Sequence, residues 1–229
     1  MKILITGASR GIGLAEAKRL DKKSDELFLV ASSLQSFKDK SLQKHHFFAA
    51  DLSNQKEIKK LLRKIKSKTR TLDVLVNNVG FFTSKKFEKM SEDEINYFID
   101  LNLKSHLFVT KGLLPLLKKS RNPQIIFMSS MAAKFTVIGE SVYCATKAAI
   151  TNFAQALRNE LRGKMKVSII HSWGVNTWGA EDDKTLLKPE NIAEIVEFII
   201  TREKKFVIES IDVGSLHQWR AGEAPWSPK

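Results

Sequence analysis

A single cysteine, Cys144, stands in 229 residues, so no intrachain disulfide can form and the chain suits a reducing compartment. Nowhere is there a run of the roughly 18 apolar residues that a bilayer crossing needs. The N-terminus enters a strand-like Lys2-Ile3-Leu4-Ile5 at once, which leaves no room for a secretion signal. Together these absences lead us to expect a cytoplasmic protein with no membrane partner. Metal-ligand spacings are also missing. His45 and His46 are adjacent, and in a strand they project to opposite faces, so no metal is expected. Acidic residues are outnumbered, 25 against 38 Lys and Arg, for a formal net charge of +13. In the densest basic stretch, residues 56–70, Ile58, Leu61, Leu62 and Ile65 form one helical stripe while Lys59, Lys60, Arg63, Lys64 and Lys66 fall elsewhere on the wheel. Lacking a recognition motif or interleaved aromatics, it reads as the solvated face of an amphipathic helix, and no nucleic-acid partner is expected.

What is there suits one domain. The chain is 43% hydrophobic, with no internal repeat and no linker, so residues 1–213 read as a single unit and 214–229 as an aperiodic tail. Strand patterns at residues 2–6, 27–31, 46–50, 73–76, 124–128, 166–171 and 206–213 alternate with helical ones. This order predicts an α/β fold: a doubly wound parallel sheet of about seven strands with helices on both faces. Ser91 and Glu94 form a capping box for a helix that contains Asn102 and runs on toward Lys119, with a bend or break expected at Gly112 or Pro115. Asn102 is a poor helix former, and its simplest explanation is an exposed polar position. A long helix follows over 141–161, and another starts at Pro189. Ligands of such sheets bind at the carboxyl ends of the strands, and the glycine-rich loop, Asp51, Asn78, Ser130 and His171 all follow strands.

The first strand runs into Gly7-Ala8-Ser9-Arg10-Gly11-Ile12-Gly13 and then a helix. Gly7 permits the tight turn, Gly11 lets backbone approach a phosphate, and Gly13 allows close helix packing, which is a dinucleotide-binding element. A carboxylate after the second strand would repel a 2′-phosphate. Ser32 and Ser33 stand there instead, and Arg10 is at hand, which favours NADP(H) over NAD(H). Tyr143 and Lys147 lie an i,i+4 step apart on the long helix, where an ammonium can lower a phenol pKa and make tyrosine a usable acid and base.

These motifs, in order, resemble the short-chain dehydrogenase/reductase family over almost the whole chain: Thr6 to Gly13, Asp51-Leu52, Asn77-Asn78-Val79-Gly80 in place of Asn-Asn-Ala-Gly, Asn102, Ser130, and Tyr143 with Lys147. The resemblance implies a Rossmann-type fold and a catalytic set of Asn102, Ser130, Tyr143 and Lys147. Tyr143 would exchange a proton with the substrate oxygen, Lys147 would depress its pKa and hold the nicotinamide ribose, Ser130 would bond the substrate oxygen, and Asn102 would hold a relay water. Cofactor contacts would come from Gly7, Ser9, Arg10, Gly11, Ile12, Gly13, Ser32, Ser33, Asp51, Leu52, Asn78, Gly80, Tyr143, Lys147, Val175 and Thr177. The implied activity is NADP(H)-dependent interconversion of a small carbonyl compound and its alcohol, in a homodimer or homotetramer; a catalytically impaired redox sensor or scaffold is the alternative. On the substrate side the chain departs from the family, with Ser172-Trp173 where Pro-Gly usually stands. Trp173, Trp178, Phe81 and Phe82 there either line a small apolar pocket or pack the loop against the core.

Overall fold

The computed structural model describes residues 1–22, 25–177 and 185–216. Seven strands, β1 (Lys2–Thr6), β2 (Glu26–Ala31), β3 (His46–Ala49), β4 (Val74–Asn77), β5 (Gln124–Ser130), β6 (Lys166–Ser172) and β7 (Ser210–Val213), form one sheet in the order β3-β2-β1-β4-β5-β6-β7. Every pairing is parallel, so each connection must cross over a face. Among the described residues six α-helices, α1 (Gly11–Arg19), α2 (Gln55–Lys68), α3 (Glu92–Ile99), α4 (Ser105–Leu117), α5 (Ser141–Glu160) and α6 (Pro189–Ile200), lie in these connections, except between β2 and β3, which two short 3-10 turns join.

Alternate strand residues feed two cores. Leu4, Phe28, Leu75, Ile125, Phe127, Val167 and Ile169 meet the apolar stripes of α2, α4 and α5. Ile3, Ile5, Leu27, Leu29, Val76, Ile126 and Ile170 meet those of α1 and α6. Burial of both faces explains why these strands are apolar throughout rather than alternating. In α2, Ile58, Leu61 and Ile65 are buried and the basic side chains are exposed, as the sequence pattern predicts. Asn54 caps that helix through Lys56 N–H and Glu57 N–H. His45 is buried against Asp21 while His46 turns to Glu26, on opposite faces, and no metal-holding group occurs among the described residues.

Three expectations are corrected. The helix carrying Asn102 does not break at Gly112 or Pro115, both of which lie inside α4. It changes to a π-helical stretch at Asp100–Lys104, around Asn102 itself, which is wholly buried and not an exposed polar position. Gly112 is instead a packing position, because a Cβ there would run into Leu62 of α2. The last strand begins at Ser210 rather than residue 206. Arg158 of α5 donates to the carbonyls of Val167 and Glu209, entering between the two chains where pairing would otherwise continue.

Candidate active site

The sheet changes direction of growth between β1 and β4, and the chain ends there are tied by one hydroxyl. Thr6 Oγ1 accepts from Asn78 N–H and Val79 N–H, each at 3.0 Å, and Asn78 Nδ2 donates back to Thr6 O at 2.9 Å. Above this knot lies the glycine-rich turn. Gly7 (φ 70°) and Gly11 (φ 52°) occupy the left-handed region, and a Cβ on Gly13 would collide with the Gly7 carbonyl. Arg10 precedes α1 without capping it, and no acidic residue sits in the first turn. The helix N–H groups and dipole are therefore available to an anion, and this cradle fits a dinucleotide pyrophosphate.

The other expected cofactor contacts fall along the same sheet edge. Ser9 and Ile12 flank the turn, half-buried. Ser32 is exposed after β2, with Ser33 beside it opening a short 3-10 turn. Asp51 is exposed after β3 and accepts from Ser53 N–H at 2.9 Å, with Leu52 buried behind it. After β6, Val175 is buried and bridges to Leu187, and the Thr177 side chain lies 3.1 Å from where a Gly11 Cβ would be. Arg10 is exposed and free of ion pairs among the described residues. Trp178 and the tail beyond Leu216 lie outside the described residues.

Asn102 and Lys147 meet beside Gly80, and Tyr143 adjoins Lys147. A Cβ built on that glycine would stand 3.4 Å from Asn102 Oδ1 and 3.6 Å from Lys147 Nζ. Asn102 is satisfied by one backbone unit: its Oδ1 accepts from Phe81 N–H at 2.7 Å and its Nδ2 donates to Phe81 O at 2.8 Å. The widened helical turn at Asp100–Lys104 is what carries this amide to the loop. Lys147, buried on α5, donates to Met128 O at 3.0 Å, and its Nζ lies 5.7 Å from the centre of the Tyr143 ring. Burial pulls the Lys147 ammonium down to about 8. Ser130 ends β5, its hydroxyl donating to Ser172 O at 3.4 Å and accepting from Ala132 N–H at 3.1 Å, and it acts on the Tyr143 phenol by lowering its pKa.

The expected depression of the tyrosine by Lys147 does not appear. Burial pushes the Tyr143 phenol up to about 12; Ser130 acts the other way, and the charge of Glu140 adds to the rise. Tyr143 is thus held as the neutral acid. Cys144, next to it, is buried with its thiol also pushed up by burial, which suits a packing role.

The aromatics divide between the two roles foreseen for them. Phe82, 46% exposed, meets Tyr143 edge-on at 5.1 Å and borders the site. Trp173 stacks on Phe135 at 5.7 Å and covers Gly214, which packs the loop after β6 without the usual Pro-Gly. His106 escaped the sequence reading. Its signal was a histidine one helical step after Asn102 in an apolar stretch, and it is buried with Nε2 2.7 Å from Val79 O.

Residues 1–185 match the family model for short chain dehydrogenases. The chain belongs to that family and is an oxidoreductase of this type. An uncharacterized oxidoreductase of Staphylococcus saprophyticus is 27% identical over 223 residues, covering 89% of this chain and 91% of its own. An NADP-dependent 3-hydroxy acid dehydrogenase of Schizosaccharomyces pombe is 28% identical over 240 residues, covering 94% and 93%. Among solved structures, a closed serine dehydrogenase complexed with NADP+ superposes with a TM-score of 0.88 at 25% identity, over 97% of this chain and 98% of that one. An alcohol dehydrogenase of the archaeon Thermococcus sibiricus complexed with 5-hydroxy-NADP gives 0.88 at 25% identity, over 95% and 97%.

Proposed function

We propose that this protein is an NADP(H)-dependent reductase or dehydrogenase that interconverts a small, largely apolar carbonyl compound and its alcohol, with Tyr143 as the proton-transfer residue. The observation that carries the reading is Lys147 buried between Asn102 at Gly80 and the Tyr143 ring, with Ser130 at the end of β5, on the strand edge that also bears the glycine cradle. The nicotinamide, when bound, supplies or accepts the hydride. For carbonyl reduction, negative charge grows on the substrate oxygen, and the Ser130 hydroxyl, turning from Ser172 O, and the Tyr143 phenol are the donors that would stabilise it. Tyr143, held as a neutral acid, gives its proton to that oxygen. Lys147, still mostly an ammonium at neutral pH with its pKa lowered to about 8, stabilises the resulting phenolate and returns a proton toward it.

Preference for NADP(H) is supported by Ser32 and Ser33 in place of a carboxylate, by the free Arg10 guanidinium, and by the NADP in two of the structures compared. A substrate with an apolar body is supported by Phe82 on the Tyr143 ring.

The test is NADPH oxidation against a panel of ketones and aldehydes, in wild type and Tyr143→Phe, with NADPH and NADH affinities measured alongside. Loss of the acid is expected to lower kcat by about 10²–10⁴-fold with NADPH affinity retained. Undiminished turnover in Tyr143→Phe removes the proton-transfer role, and tight NADPH binding without turnover by wild type would leave a cofactor-binding protein instead.

A further inference from the structure

Helix α4 presents two polar side chains to the Asn77–Gly80 loop from an otherwise apolar stretch. Asn77 Nδ2 donates to Thr110 Oγ1 at 2.9 Å, and His106 Nε2 donates to the Val79 carbonyl at 2.7 Å. A carbonyl can only accept, so Nε2 carries the proton of the neutral ring and Nδ1 is a bare acceptor. That Nδ1 is buried and has no hydrogen-bond partner among the described residues, in a side chain of 0% exposure. The ring lies parallel to Phe127 of β5, with centroids 6.4 Å apart. Burial, and then the charge of Lys147, pull the imidazole down to about 3, so it stays neutral across the physiological range.

A buried lone pair without a donor costs stability, and interiors answer such groups with protein donors or ordered water. The donor at hand is Lys147. Its ammonium gives one N–H to Met128 O, on the residue after Phe127, and stands 3.6 Å from the Cβ position of Gly80, the residue after Val79. His106 and Lys147 are thus both donors to backbone, one to the loop at Val79 O and one to β5 at Met128 O, and the acceptor left over is His106 Nδ1. A single water accepting from Lys147 Nζ and donating to His106 Nδ1 would satisfy both.

We propose that His106 is a positioning residue for the Tyr143–Lys147 pair, its Nε2–H fixing the Val79 carbonyl and its Nδ1 orienting a buried water against the Lys147 ammonium. This rests on the oxidoreductase reading above. His106 acts through Lys147 and the loop, and it touches no reacting atom. The water's lone pair, turned toward the ammonium, keeps Lys147 charged and in place while Tyr143 gives up its proton.

Two variants separate the ring nitrogens. His106→Gln keeps a donor near the Nε2 position and loses the Nδ1 acceptor, whereas His106→Asn does the reverse. His106→Gln is expected to keep its NADPH affinity while kcat falls about tenfold, the worth of one hydrogen bond to a charged group. His106→Asn is expected to recover part of kcat and to bind NADPH more weakly, because the Val79 carbonyl is released. In the free protein, ¹⁵N NMR should show the Nε2–H tautomer with Nδ1 shifted as a hydrogen-bonded acceptor, and Lys147→Met should reverse that shift. Wild-type kcat in His106→Gln, or an Nδ1 signal of an unbonded nitrogen, overturns the proposal. The NMR result needs no turnover, so it stands apart from any failure of the oxidoreductase reading.

Discussion

Glu16 lies wholly buried on α1, and neither carboxylate oxygen has a hydrogen-bond partner among the described residues. Burial pushes its carboxyl well above the ordinary range, so the folded protein holds it neutral. A raised carboxyl pKa works against the fold as pH rises: the unfolded chain releases the proton near 4.5 and the folded one cannot. Glu16→Leu is therefore expected to stabilise the protein at neutral pH by roughly 1–3 kcal/mol, the cost of an uncompensated buried polar group. Thermal melts at acid and neutral pH check the cause. The gain should shrink in acid, where the unfolded carboxyl is protonated too, and an equal gain at both pH values would sink this account. Nothing in the sequence pattern marks Glu16, since a glutamate in a short amphipathic helix ordinarily faces water.

At the scale of elements, two glycines that a propensity scale treats alike differ in what surrounds them. A Cβ on Gly13 of α1 would strike the Gly7 carbonyl and stand 2.7 Å from Asn78 Nδ2, both parts of the strand-edge knot. A Cβ on Gly112 of α4 would meet only the far end of the flexible Leu62 side chain. Gly13→Ala is expected to lose about 1–3 kcal/mol from overpacking and to weaken NADPH binding. Gly112→Ala should lose less, since Leu62 can turn away and alanine is the better helix former by about 1 kcal/mol. Chemical denaturation of the two variants reads the difference, and equal losses would contradict it. Gly13 was legible in the sequence because its role is local, in a strand-turn-helix unit. The π-helical stretch was not, because it exists to bring Asn102 to the backbone of Phe81, far away along the chain.

For the whole molecule, two buried histidines govern behaviour in acid. Burial, the larger influence on each, pulls His106 to about 3 and His171 to about 4, from 6.5. His171 is enclosed by Thr151, Ser210 and Asp212 at 3.1–3.2 Å. The unfolded chain takes up both protons as pH falls below 6.5, while the folded chain takes them only near 4 and 3. Stability complete above 6.5 is thus lost as pH drops through that window, by on the order of several kcal/mol. Urea midpoints measured from pH 7 downward should fall accordingly. The double variant His106→Gln/His171→Gln should flatten the slope, and an unchanged slope would assign acid unfolding to the carboxylates instead.

Periodicity and local motif chemistry were enough to determine the parallel sheet, the glycine cradle, the solvated basic face of α2, and the placing of Asp51, Asn78 and Ser130 after strands on one edge. Each depends on residues within a strand or a turn of helix, and on the rule that crossovers place strand ends together. The tertiary structure alone decided the start of β7, set by Arg158 from another layer; the burial of Asn102, His106 and Glu16; and the neutral, raised state of the Tyr143 phenol. These depend on desolvation and on partners distant in the chain. Both are properties of what packs around a side chain, which its neighbours in sequence do not carry.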